Sequence, residues 1–178
     1  MAKNGLVPKR FIAVIGVGRS GKSTIIQSLT GCKSHNFRDF VIDESTRRTI
    51  YVHAGSPQEQ HRYNRTDLPE FRRQLRKVLR NRAAQGAVYA IQPTDPSKRL
   101  SLEEMFEEVA KDGLFETHVF ILNPPRNEAR KRDSESLTKL LDRVKSCKVD
   151  VRNIHILDAR RFAILNADAI RSISGVPY

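Results

Sequence analysis

Residues 11–24 read FIAVIGVGRSGKST, and no other stretch constrains the fold as strongly. An unbroken apolar run of this length, halted by glycine, is the pattern of a strand buried on both faces. Gly16-Val17-Gly18-Arg19-Ser20-Gly21-Lys22-Ser23 then satisfies GxxxxGK[ST] in full, and KSTIIQSL (22–29) continues as a helix. The glycines let the backbone wrap tightly and turn its N–H groups inward as an anion nest. The helix N-terminus adds unpaired N–H groups and the positive end of its dipole. Lys22 is placed to reach β- and γ-phosphates, and the Ser23 hydroxyl to ligate Mg2+. Gly16, Gly18, Arg19, Ser20, Gly21, Lys22, Ser23 and Thr24 are therefore the candidate phosphate-binding residues, with Lys22 as the catalytic candidate.

The rest of the chain alternates strand and helix. DFVIDES (39–45) and RTIYVHA (48–54) are β-rich and joined by a short polar link, which predicts an antiparallel hairpin. Residues 56–66 are polar and aperiodic, hence a loop. Leu68, Phe71, Leu75, Val78 and Leu79 fall on one face of a helix over 68–84, with arginine and lysine opposite. GAVYAIQP (86–93), THVFILN (117–123) and NIHILDA (153–159) read as strands, while 134–146 and 166–173 read as helices. Ser101 and Glu104 have capping-box spacing ahead of Leu102, Met105, Phe106 and Val109, and Gly113 is a natural stop. Strands alternating with helices indicate a mostly parallel sheet covered on both faces. At 178 residues the length predicts one domain, with residues 1–9 as a flexible N-terminal segment.

Charge and cysteines narrow the classes. Thirty-two Lys and Arg against 20 Asp and Glu give +12 and a pI near 10.2, which favours polyanionic partners. The helix over 68–84 is the densest basic surface, a candidate contact for nucleic acid or an acidic protein, although few aromatics interleave with its arginines. Cys32 and Cys147 have neither CxxC spacing nor a paired histidine, so a reduced protein is expected, and zinc has no support. No apolar run approaches the ~20 residues of a membrane span, and no targeting signal is visible, so a cytoplasmic location is expected.

Through GVGRSGKST the chain resembles P-loop NTPases, and the order of its later elements is similar to the Ras-like small GTPase group. The resemblance implies a three-layer α/β P-loop fold, mostly parallel with one antiparallel hairpin strand. It also implies ATP or GTP with Mg2+ as ligands. Where that group carries DxxG this chain has Val52-His53-Ala54-Gly55, and where it carries NKxD this chain has Asn123-Pro124-Pro125-Arg126. Gly55 and Asn123 remain as nucleotide-site candidates while both acids are absent. LDAR (157–160) stands where the group has a weakly defined last loop. Gln58, Gln60 or His61 would orient a water, His53 would approach the γ-phosphate, and Thr46 or Thr49 would supply a metal-side hydroxyl. The expected activity is a slow or partner-dependent NTP hydrolase or nucleotide switch.

Two alternatives compete. DFVIDES is also similar to the second strand of small-molecule kinases, which would make Asp43 a substrate-orienting carboxylate near the γ-phosphate. The chain could instead be a basic binding module whose phosphate loop is vestigial. The hairpin reading puts Asp43 at the far end of the sheet, so its position separates the first two models.

Overall fold

A computed structural model describes residues 7–44, 46–57, 67–93, 100–124 and 136–175. Six strands form one sheet in the order β2-β3-β4-β1-β5-β6. They are β1 (Lys9–Ile15), β2 (Arg38–Ile42), β3 (Thr49–His53), β4 (Ala84–Ile91), β5 (Phe115–Leu122) and β6 (Ile154–Leu157). Every pairing is parallel except β2 with β3, which is the expected hairpin. The described residues also form the helices α1 (Lys22–Thr30), α2 (Leu68–Arg80), α3 (Leu102–Ala110), α4 (Leu137–Ser146) and α5 (Ala163–Ser174). A 3-10 turn at Val151–Asn153 leads into β6.

The apolar run of β1 serves both faces of the sheet. Ile12 and Val14 join Ile25, Ile26 and Leu29 of α1 and Ala167 and Ile170 of α5. Phe11, Ala13 and Ile15 join Phe71, Leu75 and Val78 of α2, Phe106 of α3 and Leu140 of α4. Alternation along a strand divides the residues in this way, and helices on both sides make the fold three-layered. The Phe11 ring stacks on Tyr89 at 5.3 Å and meets Phe71 edge-on at 6.2 Å. The fold is the expected three-layer α/β architecture, mostly parallel with one antiparallel pair, with the glycine-rich turn between β1 and α1.

Local chemistry fixes the element ends. The Ser101 capping box is complete: Ser101 Oγ accepts from the Glu104 N–H at 3.1 Å, and Glu104 Oε2 accepts from the Ser101 N–H at 2.8 Å. Arg171 donates to the Ser28 and Leu29 carbonyls at 2.7 and 3.1 Å, satisfying the last turn of α1 from α5. The helix expected over 68–84 stops at Arg80. Asn81 turns extended there, and its Oδ1 accepts from the Ala83 N–H at 3.0 Å. Lys9, expected in a flexible segment, opens β1 and donates to the Asn81 and Ala84 carbonyls at 2.7 and 2.6 Å.

Strand order positions the functional end. The chain leaves β1 through α1 for the β2 edge, returns inward through β3 and β4, then crosses over α3 to β5 on the other side of β1. β1 is thus flanked by β4 and β5, and the turn after it opens at a topological switch point, where open α/β sheets form their ligand crevice.

Candidate functional site

The turn from Gly16 to Lys22 is shaped by two residues in the left-handed region, Arg19 at φ 58° and Gly21 at φ 94°. Gly21 is also the N-cap of α1, and no side chain caps that end. A left-handed turn feeding an uncapped helix start leaves first-turn N–H groups for an anion. Gly16 is closely packed as well. A Cβ there would lie 2.4 Å from Ser20 Oγ and 3.3 Å from the Leu122 Cβ, so a larger residue would force Ser20 to shift.

The turn lines a cavity of about 250 Å³ with Arg19, Ser20, Gly21, Lys22, Ser23 and Thr24. Lys22 is 3% exposed, and its ammonium donates to the Gly16 and Val17 carbonyls, both at 2.8 Å. Arg19 is exposed at the cavity mouth. Ser20 is 1% exposed, and its Oγ has no hydrogen-bond partner among the described residues. An orphaned hydroxyl in a cavity walled by donors fits an anionic ligand.

Ser23 Oγ donates to the Ala54 carbonyl at 2.8 Å. Its proton is therefore committed, and its lone pairs are left to face a cation. The residues present fit Mg2+ held through Ser23, with phosphate oxygens and water as the remaining ligands. No carboxylate is among the described residues that line the cavity.

The remaining expected residues scatter. Val52, at the DxxG acid's position, is fully buried against the α1 layer. β4 lies between β3 and β1, so the end of β3 meets the phosphate turn through the Ser23–Ala54 bond rather than as its neighbouring strand. Gly55 is buried, and its carbonyl accepts from His53 Nδ1 at 2.6 Å. His53 is fully buried, stacked on Tyr89 at 5.0 Å, and is not among the residues that line the cavity, where a group touching the γ-phosphate would be. Burial first, then the Arg38 charge, pushes its pKa down to about 4, so the ring is neutral. Asn123 donates its N–H to the Leu157 carbonyl at 2.9 Å at the same end of the sheet but does not line the cavity. Gln58, Gln60, His61 and Arg126 lie outside the described residues.

Two expectations are corrected. Asp43 closes the β2–β3 turn, its N–H donating to the Arg48 carbonyl at 2.9 Å. Thr49, next to that turn, pairs with Ala84 at the start of β4, so the turn lies at the opposite end of the sheet from the phosphate loop. The small-molecule kinase reading, which needs Asp43 at the γ-phosphate, does not survive this placement. Thr46 and Thr49 fall with it as metal-side hydroxyls: Thr46 donates to Asp43, and Thr49 accepts from Asn81 Nδ2 at 3.3 Å.

His35 was missed by sequence reasoning. It follows α1 in an irregular, exposed segment and lines the cavity opposite the turn. No periodicity or motif marks it. The end of β4 abuts the turn, where the Gly16 N–H donates to the Ile91 carbonyl at 3.1 Å.

Similar architectures exist among solved structures. The chain aligns with one titled "Crystal structure of APE1195" at TM-score 0.51 and 15% identity, covering 95% of this chain and 97% of that one. At that identity the likeness is one of fold. The FeoB G-domain from Methanococcus jannaschii aligns more loosely, at TM-score 0.44 and 19% identity over 94% of this chain and 98% of that one. No family model matches the sequence, and no curated protein does. No described helix is long and apolar enough to cross a membrane.

Proposed function

We propose that this chain binds a nucleoside triphosphate, ATP or GTP, with Mg2+ at residues 16–24, and hydrolyses it slowly or only when a partner completes the site. The carrying observation is the pair of left-handed residues, Arg19 and Gly21, that leads into an uncapped helix start beside the buried Lys22 ammonium. Main-chain amides and one ammonium then converge on one small cavity. Lys22 exchanges its two carbonyl acceptors for phosphate oxygens, and Arg19 adds charge at the mouth. Ser23, its proton given to Ala54, offers its oxygen to the metal. Mg2+, when bound, neutralises charge across the β- and γ-phosphates.

Slow turnover follows from what lines the cavity. Positioned charge dominates phosphoryl-transfer catalysis, and among the described lining residues no carboxylate stands behind the metal to hold it rigidly. Rate suffers before affinity does.

Thermal shift with ATP, GTP, ADP and GDP, each with and without Mg2+, tests binding, base choice and metal need together. A triphosphate with Mg2+ should raise the Tm most. No shift with any nucleotide would sink the proposal, and turnover by the isolated protein at about 5–20 s⁻¹, the speed of a stimulated GTPase, would remove the slow-enzyme part. The vestigial-loop reading draws on Lys22 already bonding its own turn. It predicts that Lys22→Ala keeps partner affinity and that added nucleotide does not raise the Tm.

A further inference from the structure

A second concave site lies between α2 and the β2–β3 hairpin, on the face of the sheet opposite α1. We propose that this cleft binds the sugar-phosphate backbone of a single-stranded nucleic acid. It encloses about 760 Å³, and its wall carries Arg38, Arg73, Arg76, Lys77 and Arg80 against Glu70 alone. The inference is independent of nucleotide binding at the loop.

Four of the five cations fall into two sets. Arg73 is forked onto Glu70 through Nε at 2.7 Å and Nη2 at 2.8 Å. Lys77 bonds Asp39 at 2.9 Å and sits over the Phe40 and Tyr51 rings at 5.3 and 5.9 Å. These contacts fix the floor and one wall. Arg76 and Arg80 are exposed, and neither forms an ion pair among the described residues. They are the groups an incoming anion would meet.

Spacing and residue type favour a phosphodiester chain over an acidic peptide. Positions 73, 76 or 77, and 80 recur at each turn of α2, which puts a cation about every 5 Å along the helix. A polymer charged at every repeat engages all of them, whereas a peptide needs an unbroken run of Asp and Glu. Four of the five cations are arginines, whose planar fork matches phosphate oxygens. Past Arg80 the basic path continues to Arg82 and to Arg47 and Arg48 of the hairpin turn. The Thr49 N–H bond to the Ala83 carbonyl, 3.1 Å, holds those two segments together. A recessed groove admits one flexible strand and excludes a stiff duplex from its floor. Because Lys77 covers both rings, bases find no stacking platform, so binding should be tolerant of sequence.

Fluorescence anisotropy with labelled 12-mer oligo-U and oligo-dT tests this. With three or four phosphates engaged, the log–log salt slope should be about −2 to −3, a loss of about 20- to 50-fold between 50 and 200 mM salt. Arg76→Glu/Arg80→Glu should weaken binding at least about tenfold and flatten the slope by about 1.4. Arg76→Gln/Arg80→Gln should do so less severely, and melting curves would show that both variants fold. Lys22→Ala should leave oligonucleotide affinity unchanged. The proposal is overturned if the double variants bind like the parent, if a duplex of equal length binds more tightly than the single strand, or if oligoglutamate displaces the probe at equal charge concentration.

Discussion

The Gly16–Lys22 turn and the α2–hairpin cleft are both cationic, yet they are built on opposite plans. The turn gathers main-chain amides and one buried ammonium from a contiguous segment, and its charge is nearly sealed from water. The cleft gathers long, solvated side chains from segments more than twenty residues apart. A preorganised site of the first kind selects by geometry, and one of the second kind selects by charge density and answers to salt. The two share a buried wall. Tyr89 donates to Gln74 Oε1 at 2.8 Å, and Gln74 Nε2 donates to Glu70 at 2.9 Å beneath the cleft. The same Tyr89 ring stacks on His53, whose Nδ1–H meets Gly55 next to the Ser23 acceptor.

The contrast breaks most sharply at Lys22. Lys22→Ala removes an ammonium able to make charged hydrogen bonds to two phosphates, a loss of about 4 kcal/mol or nearly 1,000-fold in nucleotide affinity. Calorimetry with Mg-ATP and Mg-GTP reads it, and a loss below tenfold would mean that the amides alone suffice.

Next comes the shared wall's response to acid. His53 titrates near 4 in the fold against 6.5 unfolded. Above pH 6.5 the ring is neutral in both states. As pH falls from 6.5 towards 4 the unfolded chain takes up a proton that the native ring refuses, so stability falls by about 3 kcal/mol across that window. Urea melts at half-unit pH steps should show the slope, and His53→Gln should flatten it. An unchanged slope in that variant would assign the acid sensitivity to another group.

Tyr89→Phe acts on the same wall more gently. It deletes one buried hydroxyl and leaves Gln74 Oε1 without that donor, costing about 1–2 kcal/mol in the unfolding free energy. Ser101→Ala is remote from both regions and loses one N-cap bond, about 1 kcal/mol. It should lower the Tm without altering nucleotide or oligonucleotide affinity. A ligand effect from Ser101→Ala would show that global stability, not local design, sets both affinities.

The difference in plan also explains what could be read in advance. The turn was legible because its chemistry needs particular residues at fixed, short spacing, and an apolar strand before it supplies the context. The strands, the hairpin and the Ser101 cap were legible for the same reason: each is a local pattern. Strand neighbours are not local. Nothing in the periodicity of GAVYAIQP tells that β4 inserts between β3 and β1, so that β3 reaches the turn through the Ser23–Ala54 bond and not as its neighbouring strand. Thr46 and Thr49 were misplaced because a hairpin pattern fixes the pairing of its strands without saying which end of the sheet its turn occupies. The cleft was visible only as a basic helix. Its concavity comes from Arg38, Phe40 and Tyr51, which reach α2 once β3 pairs with β4.

Lys22 ties down its own turn, and that arrangement makes ligand capture a trade between acceptors. The ammonium has already been stripped of water, so an arriving anion competes with two peptide oxygens rather than with hydration. Chloride or a lone carboxylate has little to offer over that pair. A polyphosphate, which can replace both oxygens at once while reaching the amides behind them, wins the exchange. On the proposed reading the turn is a filter on acceptor strength, tuned by the Gly16 and Val17 carbonyls, which no side-chain substitution can remove.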